Sequence, residues 1–112
     1  MRIRNYQTTE MKENPHHVDV RSLYEQENAE AVHITLQDNE ALKPHVTPVD
    51  AFFYIIEGNP TVHIGEETKQ VKPDDLIESP ANIMHFISNH SGKKARILVV
   101  KAPRQKKKTK IL

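Results

Sequence analysis

Seven histidines are the side chains of this 112-residue chain best suited to chemistry. The chain has no cysteine, so no thiol can act as a nucleophile or soft metal ligand, and no disulfide can form. Its three glycines are dispersed and make no phosphate-binding loop. Because imidazole binds several transition metals and exchanges protons near neutral pH, the histidines are the candidate residues for a metal-binding or catalytic site.

Short strands are the elements that must position these histidines. Apolar residues recur in short, often alternating bursts separated by turn residues, and no segment shows sustained helical periodicity. This pattern predicts about eight strands, and therefore a closed sandwich or barrel. The predicted strands lie in residues 18–23, 31–36, 51–56, 61–64, 68–71, 76–79, 85–88 and 95–100.

Length and composition indicate one small domain. Hydrophobic residues make up 37% of the chain and charged residues 28%, and the apolar residues cluster rather than scatter. The longest apolar run, 51–56, is far too short to span a bilayer, and the first residues lack the apolar stretch of a signal peptide. With the absence of cysteine, these features predict a cytoplasmic protein that does not enter a membrane.

The net charge of +1 conceals an acidic body and a basic end. Residues 101–112 hold six basic residues and no acid, which leaves a net charge of −5 for residues 1–100. We expect a solvated, mobile tail at 104–112, although Ile111 and Leu112 could anchor it on a neighbouring subunit. The acidic body and few aromatics argue against a nucleic-acid groove. The basic residues are Lys101, Arg104, Lys106, Lys107, Lys108 and Lys110.

Two stretches resemble the paired motifs of the cupin family. The segment from His45 to Gly58 resembles the first motif, in which His-x-His is followed by Glu, six intervening residues and Gly. The stretch from Pro73 through Pro80 to His85-x-x-x-Asn89 resembles the second. The resemblance covers roughly residues 18–103. It implies an all-β double-stranded β-helix, or jelly-roll barrel, at 18–103 between an N-terminal arm at 1–17 and the basic tail.

The resemblance also implies a metal site with an incomplete ligand set. His45 and His85 match the first and last ligands of the family, whereas Thr47 and Ala51 stand where a histidine and a glutamate are usual. Asp50 precedes the strand and could turn its carboxylate inward, although strand parity argues against this. The predicted site is thus His45, His85 and Asp50 around one divalent ion (iron, manganese, nickel or zinc). The same histidines without metal are the alternative.

Other polar residues receive separate predictions. Thr47, Asn89 and Glu78 are candidate pocket residues, with an outward-facing surface charge as the alternative for Glu78. His33 and His63 each alternate with apolar neighbours, so we expect them to face away from the core, on a surface or an interface. We expect His16 and His17 to form a solvated pair and His90 to lie in a turn.

Two functions remain open from the sequence. One is a metal-dependent enzyme, such as an oxygenase or isomerase acting on a small polar molecule. The other is a non-catalytic module that binds a small molecule in the barrel without metal. The segment 51–56 is apolar on both faces, and small cupins commonly pair, so the resemblance also implies a homodimer.

Overall fold

The computed structural model of the protein describes residues 1–105 and 110–112, and these form an all-β fold. The predicted fold class, a double-stranded β-helix, is confirmed. Within the described residues, one short 3₁₀ turn at Tyr6–Thr8 precedes ten strands. They are β1 (Asp19–Gln26), β2 (Ala29–Leu36), β3 (His45–Val46), β4 (Ala51–Glu57), β5 (Thr61–Ile64), β6 (Glu67–Gln70), β7 (Leu76–Ser79), β8 (His85–Ser88), β9 (Ala95–Lys101) and β10 (Lys110–Ile111).

Two five-stranded antiparallel sheets make up the barrel. The first sheet has the order β1-β2-β9-β4-β7 and the second the order β10-β3-β8-β5-β6. Consecutive strands therefore lie in different sheets at β2/β3, β3/β4 and β4/β5, as in a jelly roll. The eight strands expected from the apolar bursts are all present, and the short strands β3 and β10 are additional.

The core lies between the two inner faces. Side chains alternate along each strand, so every second residue points inward. Leu36, Ile55, Ile87 and Ile97 are fully buried there, and none of these four side chains is polar. The histidines described below line a cavity of this interior together with apolar side chains.

The N-terminal arm covers part of the outer face of the first sheet. Tyr6 stacks on His33 with ring centroids 4.0 Å apart, and the Arg96 guanidinium lies 4.2 Å from the Tyr6 ring centroid. His33 does face away from the core, as expected, but it is only 1% exposed. The prediction of a surface or interface position was wrong for His33, because strand periodicity cannot reveal that an arm of the same chain lies over that face.

The final strand places part of the tail against the barrel. Lys110 pairs with Val46 and Ile111 with His45 in antiparallel register, and the Leu112 N–H donates to the Pro44 carbonyl. Ile111 therefore packs on its own chain, next to the histidine end of the barrel. Of the mobile tail predicted at 104–112, residues 106–109 lie outside the described residues, whereas Lys110–Ile111 form β10. No helix in the described ranges is long and apolar enough to cross a bilayer.

Candidate functional site

His45 and His85 form a pair at the open end of the barrel. They lie opposite each other on the adjacent strands β3 and β8. Their ring centroids are 4.2 Å apart in an edge-to-face arrangement, and the residues are 7% and 4% exposed. Both line a cavity of about 400 Å³, whose apolar wall includes Phe53 and Val99. The structure thus brings together the two histidines that the sequence motifs singled out.

Backbone carbonyls fix the proton positions on both rings. The His45 Nδ1 lies 2.7 Å from the Lys43 carbonyl oxygen, and the His85 Nδ1 lies 3.2 Å from the Ile83 carbonyl oxygen. A carbonyl only accepts, so each Nδ1 carries the hydrogen and donates it. In this tautomer each Nε2 keeps its lone pair, so both rings accept hydrogen bonds at Nε2.

Burial keeps the pair neutral at physiological pH. Desolvation, followed by the nearby His45, lowers the pKa of His85 to about 4. Desolvation also lowers the pKa of His45, although its bond to the Lys43 carbonyl partly opposes the shift. A charged imidazole would lose its hydration inside the barrel, so the neutral form is favoured.

Thr47 lies deep in the same part of the barrel. It is 1% exposed, and its Oγ1 is 3.4 Å from the His85 Nε2. Since that Nε2 has a lone pair, the hydroxyl donates and the ring accepts. The Thr47 carbonyl accepts the Asn82 N–H at 2.8 Å, which holds the backbone in place. Thr47 therefore holds the His85 ring in place through this hydrogen bond.

His16 comes to the cavity from the N-terminal arm. Its ring centroid is 5.1 Å from that of His45, and its Nδ1 accepts the Lys43 N–H at 2.8 Å. The hydrogen of the neutral ring therefore sits on Nε2. Desolvation, with His45 next in importance, lowers its pKa to about 4. The prediction of a solvated pair was wrong for His16, although His17 is exposed.

Lys101 is a cavity residue that the motifs did not reveal. It ends β9, where Ala95, Ile97 and Val99 alternate as buried residues, and it continues their inward series. It lies opposite Ala51 on β4 and lines the cavity. Desolvation lowers its pKa, and the negative charge of Glu30 partly opposes this. The alternation along β9 could have identified Lys101 from the sequence.

Three predicted site residues lie outside the cavity. The exposed Asp50 accepts the Ala81 N–H at 2.9 Å and, with the exposed Glu78, lines a groove away from the histidines. Asn89 is fully buried and donates to the Leu36 and Lys93 carbonyls, so it ties loops together. Strand parity turns Asp50 and Glu78 away from the interior, the alternative that the sequence analysis gave for Glu78.

His63 also lies outside the cavity. Its ring stacks on Phe86 with centroids 3.9 Å apart, and its two nitrogens lie within hydrogen-bond distance of Thr68 and Ser88 hydroxyls. This partly buried position on the outer side of the second sheet agrees with the expectation that His63 faces away from the core.

The donor set does not suit a tightly held metal ion. In both His45 and His85 the Nε2 has a lone pair, which is the state a metal needs, although the His85 Nε2 already accepts the Thr47 hydroxyl. Thr47 supplies only a neutral hydroxyl, Ala51 supplies no donor, and the cation of Lys101 lies beside Ala51. In residues 1–105 and 110–112, no group of three or more His, Asp or Glu side chains could hold a metal. Transition-metal sites usually need three or four protein ligands.

The model of the Cupin domain family matches residues 32–101, which is more than half of the chain. The chain belongs to the cupin family. This match contains both histidines of the pair and Lys101, whereas His16 lies outside it. Among curated proteins, no sequence matches this cupin.

Solved structures show the same fold. TT1209 from Thermus thermophilus is 30% identical, with a TM-score of 0.80 over 93% of this cupin and 99% of that chain. An RmlC-like cupin with a double-stranded β-helix fold from Methanocaldococcus jannaschii is 25% identical, with a TM-score of 0.73 over 86% and 89%. The polyketide cyclase RemF from Streptomyces resistomycificus is 16% identical, with a TM-score of 0.86 over 100% and 85%. The last likeness concerns the fold alone.

Proposed function

We propose that this cupin binds a small polar molecule in its barrel, at the His45–His85 pair. The observation that supports this most directly is the cavity of about 400 Å³, in which the neutral His45 presents its Nε2 lone pair beside apolar walls and the acceptor Nε2 of His85 lies 3.4 Å from the Thr47 hydroxyl. Small-molecule sites are typically concave, largely apolar and equipped with a few convergent polar groups. The cavity meets this description without any metal.

The polar groups define how a ligand is oriented. His45 and His85 accept hydrogen bonds, so they favour a hydroxyl or amine on the ligand. Their Nδ1 bonds to backbone carbonyls prevent the rings from turning, and the site is therefore organised before a ligand arrives. Phe53 and Val99 form an apolar wall beside the pair, and a lower local dielectric strengthens these hydrogen bonds.

A ligand screen with matched histidine variants tests the proposal. Polar fragments are added to protein with labelled histidine rings, and binding is followed by ring NMR signals and by the increase in melting temperature. We expect some hydroxyl- or amine-bearing fragments to shift the His45 and His85 signals. His45→Ala should abolish this binding, and His63→Ala, which removes an imidazole outside the cavity, should retain it. The proposal fails if no fragment shifts the pair, or if His45→Ala binds unchanged.

The metal-dependent oxygenase or isomerase stays a prediction of the family resemblance. It requires an iron, manganese, nickel or zinc ion at His45 and His85, and the donor set described above argues against tight binding. Metal analysis of protein purified without an affinity tag decides between the two functions. A full equivalent of one transition metal, lost in His85→Ala, would replace the present proposal with the enzyme. A homodimer and a cytoplasmic location likewise stay predictions.

A further inference from the structure

Lys101, at the wall of the cavity, donates a hydrogen bond to a neutral group. The Lys101 Nζ donates to the Gln105 Oε1 at 2.8 Å, and this amide oxygen is neutral. Among the described residues, no carboxylate forms an ion pair with Lys101. An ammonium has three hydrogens to donate, and a half-buried one is costly without a counter-charge. Among the described residues, the Lys101 ammonium therefore has one neutral hydrogen-bond partner and no direct ion pair.

Glu30 lies near this lysine but does not neutralise it by contact. It is opposite Lys101 in the β2–β9 ladder, so both side chains are on the inner face. Its Oε1 accepts the Gln105 N–H at 3.4 Å instead of an ammonium hydrogen. Lys12 and Glu13, from the N-terminal arm, also line the cavity and carry opposite charges. With Glu30, which also lines the cavity, these formal charges balance that of Lys101, but none of the carboxylates among the described residues forms an ion pair with the Lys101 ammonium.

The polar groups around the cavity are of two kinds. Lys101 and His16 present N–H donors, because the His16 Nδ1 already accepts the Lys43 N–H and its hydrogen lies on Nε2. His45 presents an acceptor, because its Nδ1 hydrogen is given to the Lys43 carbonyl. A ligand that satisfies both kinds needs an anionic acceptor at one end and a donor at the other.

We propose that the ligand is a small hydroxycarboxylate, with its carboxylate on Lys101 and its hydroxyl donating to the His45 Nε2. This inference rests on the proposed function, because it names the ligand class of the same cavity. The carboxylate would form the direct ion pair that the described carboxylates do not make with Lys101, and His16 would add a second donor to it. Apolar walls at Phe53 and Val99 lower the local dielectric, so the charge pair is stronger than it would be on a surface.

Three probes of nearly equal size separate the two contacts. Lactate has both the carboxylate and the hydroxyl, propionate lacks the hydroxyl, and lactamide lacks the charge. Affinities are measured by the ring NMR signals of His45 and His85 during titration. We expect lactate to bind roughly tenfold tighter than lactamide and several-fold tighter than propionate, since a charge-assisted bond exceeds a neutral one.

Lysine variants identify the group that recognises the charge. Lys101→Met keeps most of the side-chain length without charge, and we expect lactate affinity to fall roughly tenfold while lactamide affinity is unchanged. Lys101→Arg keeps the charge and should retain most of the lactate preference. Lys69→Met is the control, because Lys69 is exposed on β6, outside the cavity. It should bind all three probes as the unaltered protein does.

The outcomes separate this inference from the proposed function. Equal binding of lactate and lactamide, or undiminished lactate binding by Lys101→Met, overturns the hydroxycarboxylate and leaves a neutral-ligand site standing. If none of the three probes moves the histidine signals at tens of millimolar, the hydroxycarboxylate is again wrong. The fragment screen then decides the proposed function by itself, because a neutral fragment that shifts His45 and His85 would still support it.

Discussion

Ala51 and Lys101 lie opposite each other in the β4–β9 ladder, and both line the barrel cavity. Ala51 is the position at which the cupin motif usually has a glutamate. The carboxylate that would complete a metal site is therefore absent, and a cation from the neighbouring strand occupies the adjoining wall. The positive ammonium repels a divalent cation and attracts an anionic group, so this wall favours an anion over a metal ion. The cavity therefore differs in charge from the family's usual metal site, because it lacks the carboxylate and has a lysine cation beside that position.

Restoring the two missing ligands should create a metal site. The double variant Thr47→His and Ala51→Glu adds an imidazole and a carboxylate beside His45 and His85, which gives four donors suited to zinc or nickel. We expect Zn²⁺ to bind at least about 100-fold tighter than to the unaltered chain, because each added ligand contributes on the order of 10-fold or more. Isothermal titration calorimetry measures the difference.

A third substitution in that background provides the control. Adding His85→Ala removes one of the four donors and should reverse most of the gain. If the double variant binds Zn²⁺ no better than the original chain, Ala51 does not face the position that a ligand must occupy. The same variant should lose lactate binding, because the new carboxylate would neutralise Lys101.

Local sequence patterns revealed most of the barrel and only part of the site. Strand periodicity located eight strands, but β3 and β10 are two-residue strands that no period can indicate. The family motifs correctly paired His45 with His85, because register across β3 and β8 follows from the fold. His16 and Tyr6 reach their partners through the path of the N-terminal arm. Such long-range packing has no periodic signal, so neither position could be predicted.

Gly58 should tolerate no side chain, whereas Gly92 should tolerate one with modest loss. Both have a positive φ, at 85° and 84°. A Cβ at Gly58 would lie 2.5 Å from the Lys94 carbonyl oxygen, and one at Gly92 would meet nothing within 4 Å. We expect Gly58→Ala to lower the free energy of unfolding by roughly 3 kcal/mol and Gly92→Ala by about 1 kcal/mol.

Urea unfolding of both glycine variants measures the two losses. Because the backbone strain is shared, the difference between them reports the close approach of β4 to the Lys94 carbonyl. Equal losses would mean that the turn at Gly58 relaxes freely, which would contradict tight packing there.

Tyr6 should stabilise the outer face of the first sheet. Its ring packs against both His33 and the Arg96 guanidinium, so it contributes a stacking contact and a cation–π contact. We expect Tyr6→Leu to lower the free energy of unfolding by about 1–2 kcal/mol. Tyr24→Leu is the matched control, because Tyr24 is 49% exposed, and its effect should stay within about 0.5 kcal/mol. Comparable losses in the two variants would show that the arm does not cover the sheet.

Stability should fall in mildly acidic solution because of His33. Desolvation, followed by the Arg96 charge, lowers the pKa of His33 to about 4, and Asp19 and Glu57 partly oppose this, with Arg21 adding to it. The unfolded chain has the ordinary pKa of about 6.5 and binds the proton first as pH falls. Protonation therefore favours unfolding between pH 6.5 and 4. The resulting decrease in the free energy of unfolding reaches at most about 3 kcal/mol for this one residue. Above pH 6.5 the decrease disappears.

His33→Gln isolates this contribution from the other titrating groups. Glutamine retains a neutral acceptor for the Arg96 Nε, which lies 3.0 Å from the His33 Nε2, but it cannot be protonated in this range. The free energy of unfolding, measured in urea at pH 7.5, 6, 5 and 4.5, should therefore fall less steeply in His33→Gln than in the original chain. The exposed His17→Gln variant should keep the original slope. Since His16, His85 and the carboxylates titrate in both proteins, they cancel in the comparison. Parallel curves for His33→Gln and the original chain would mean that His33 is accessible to protons in the folded state.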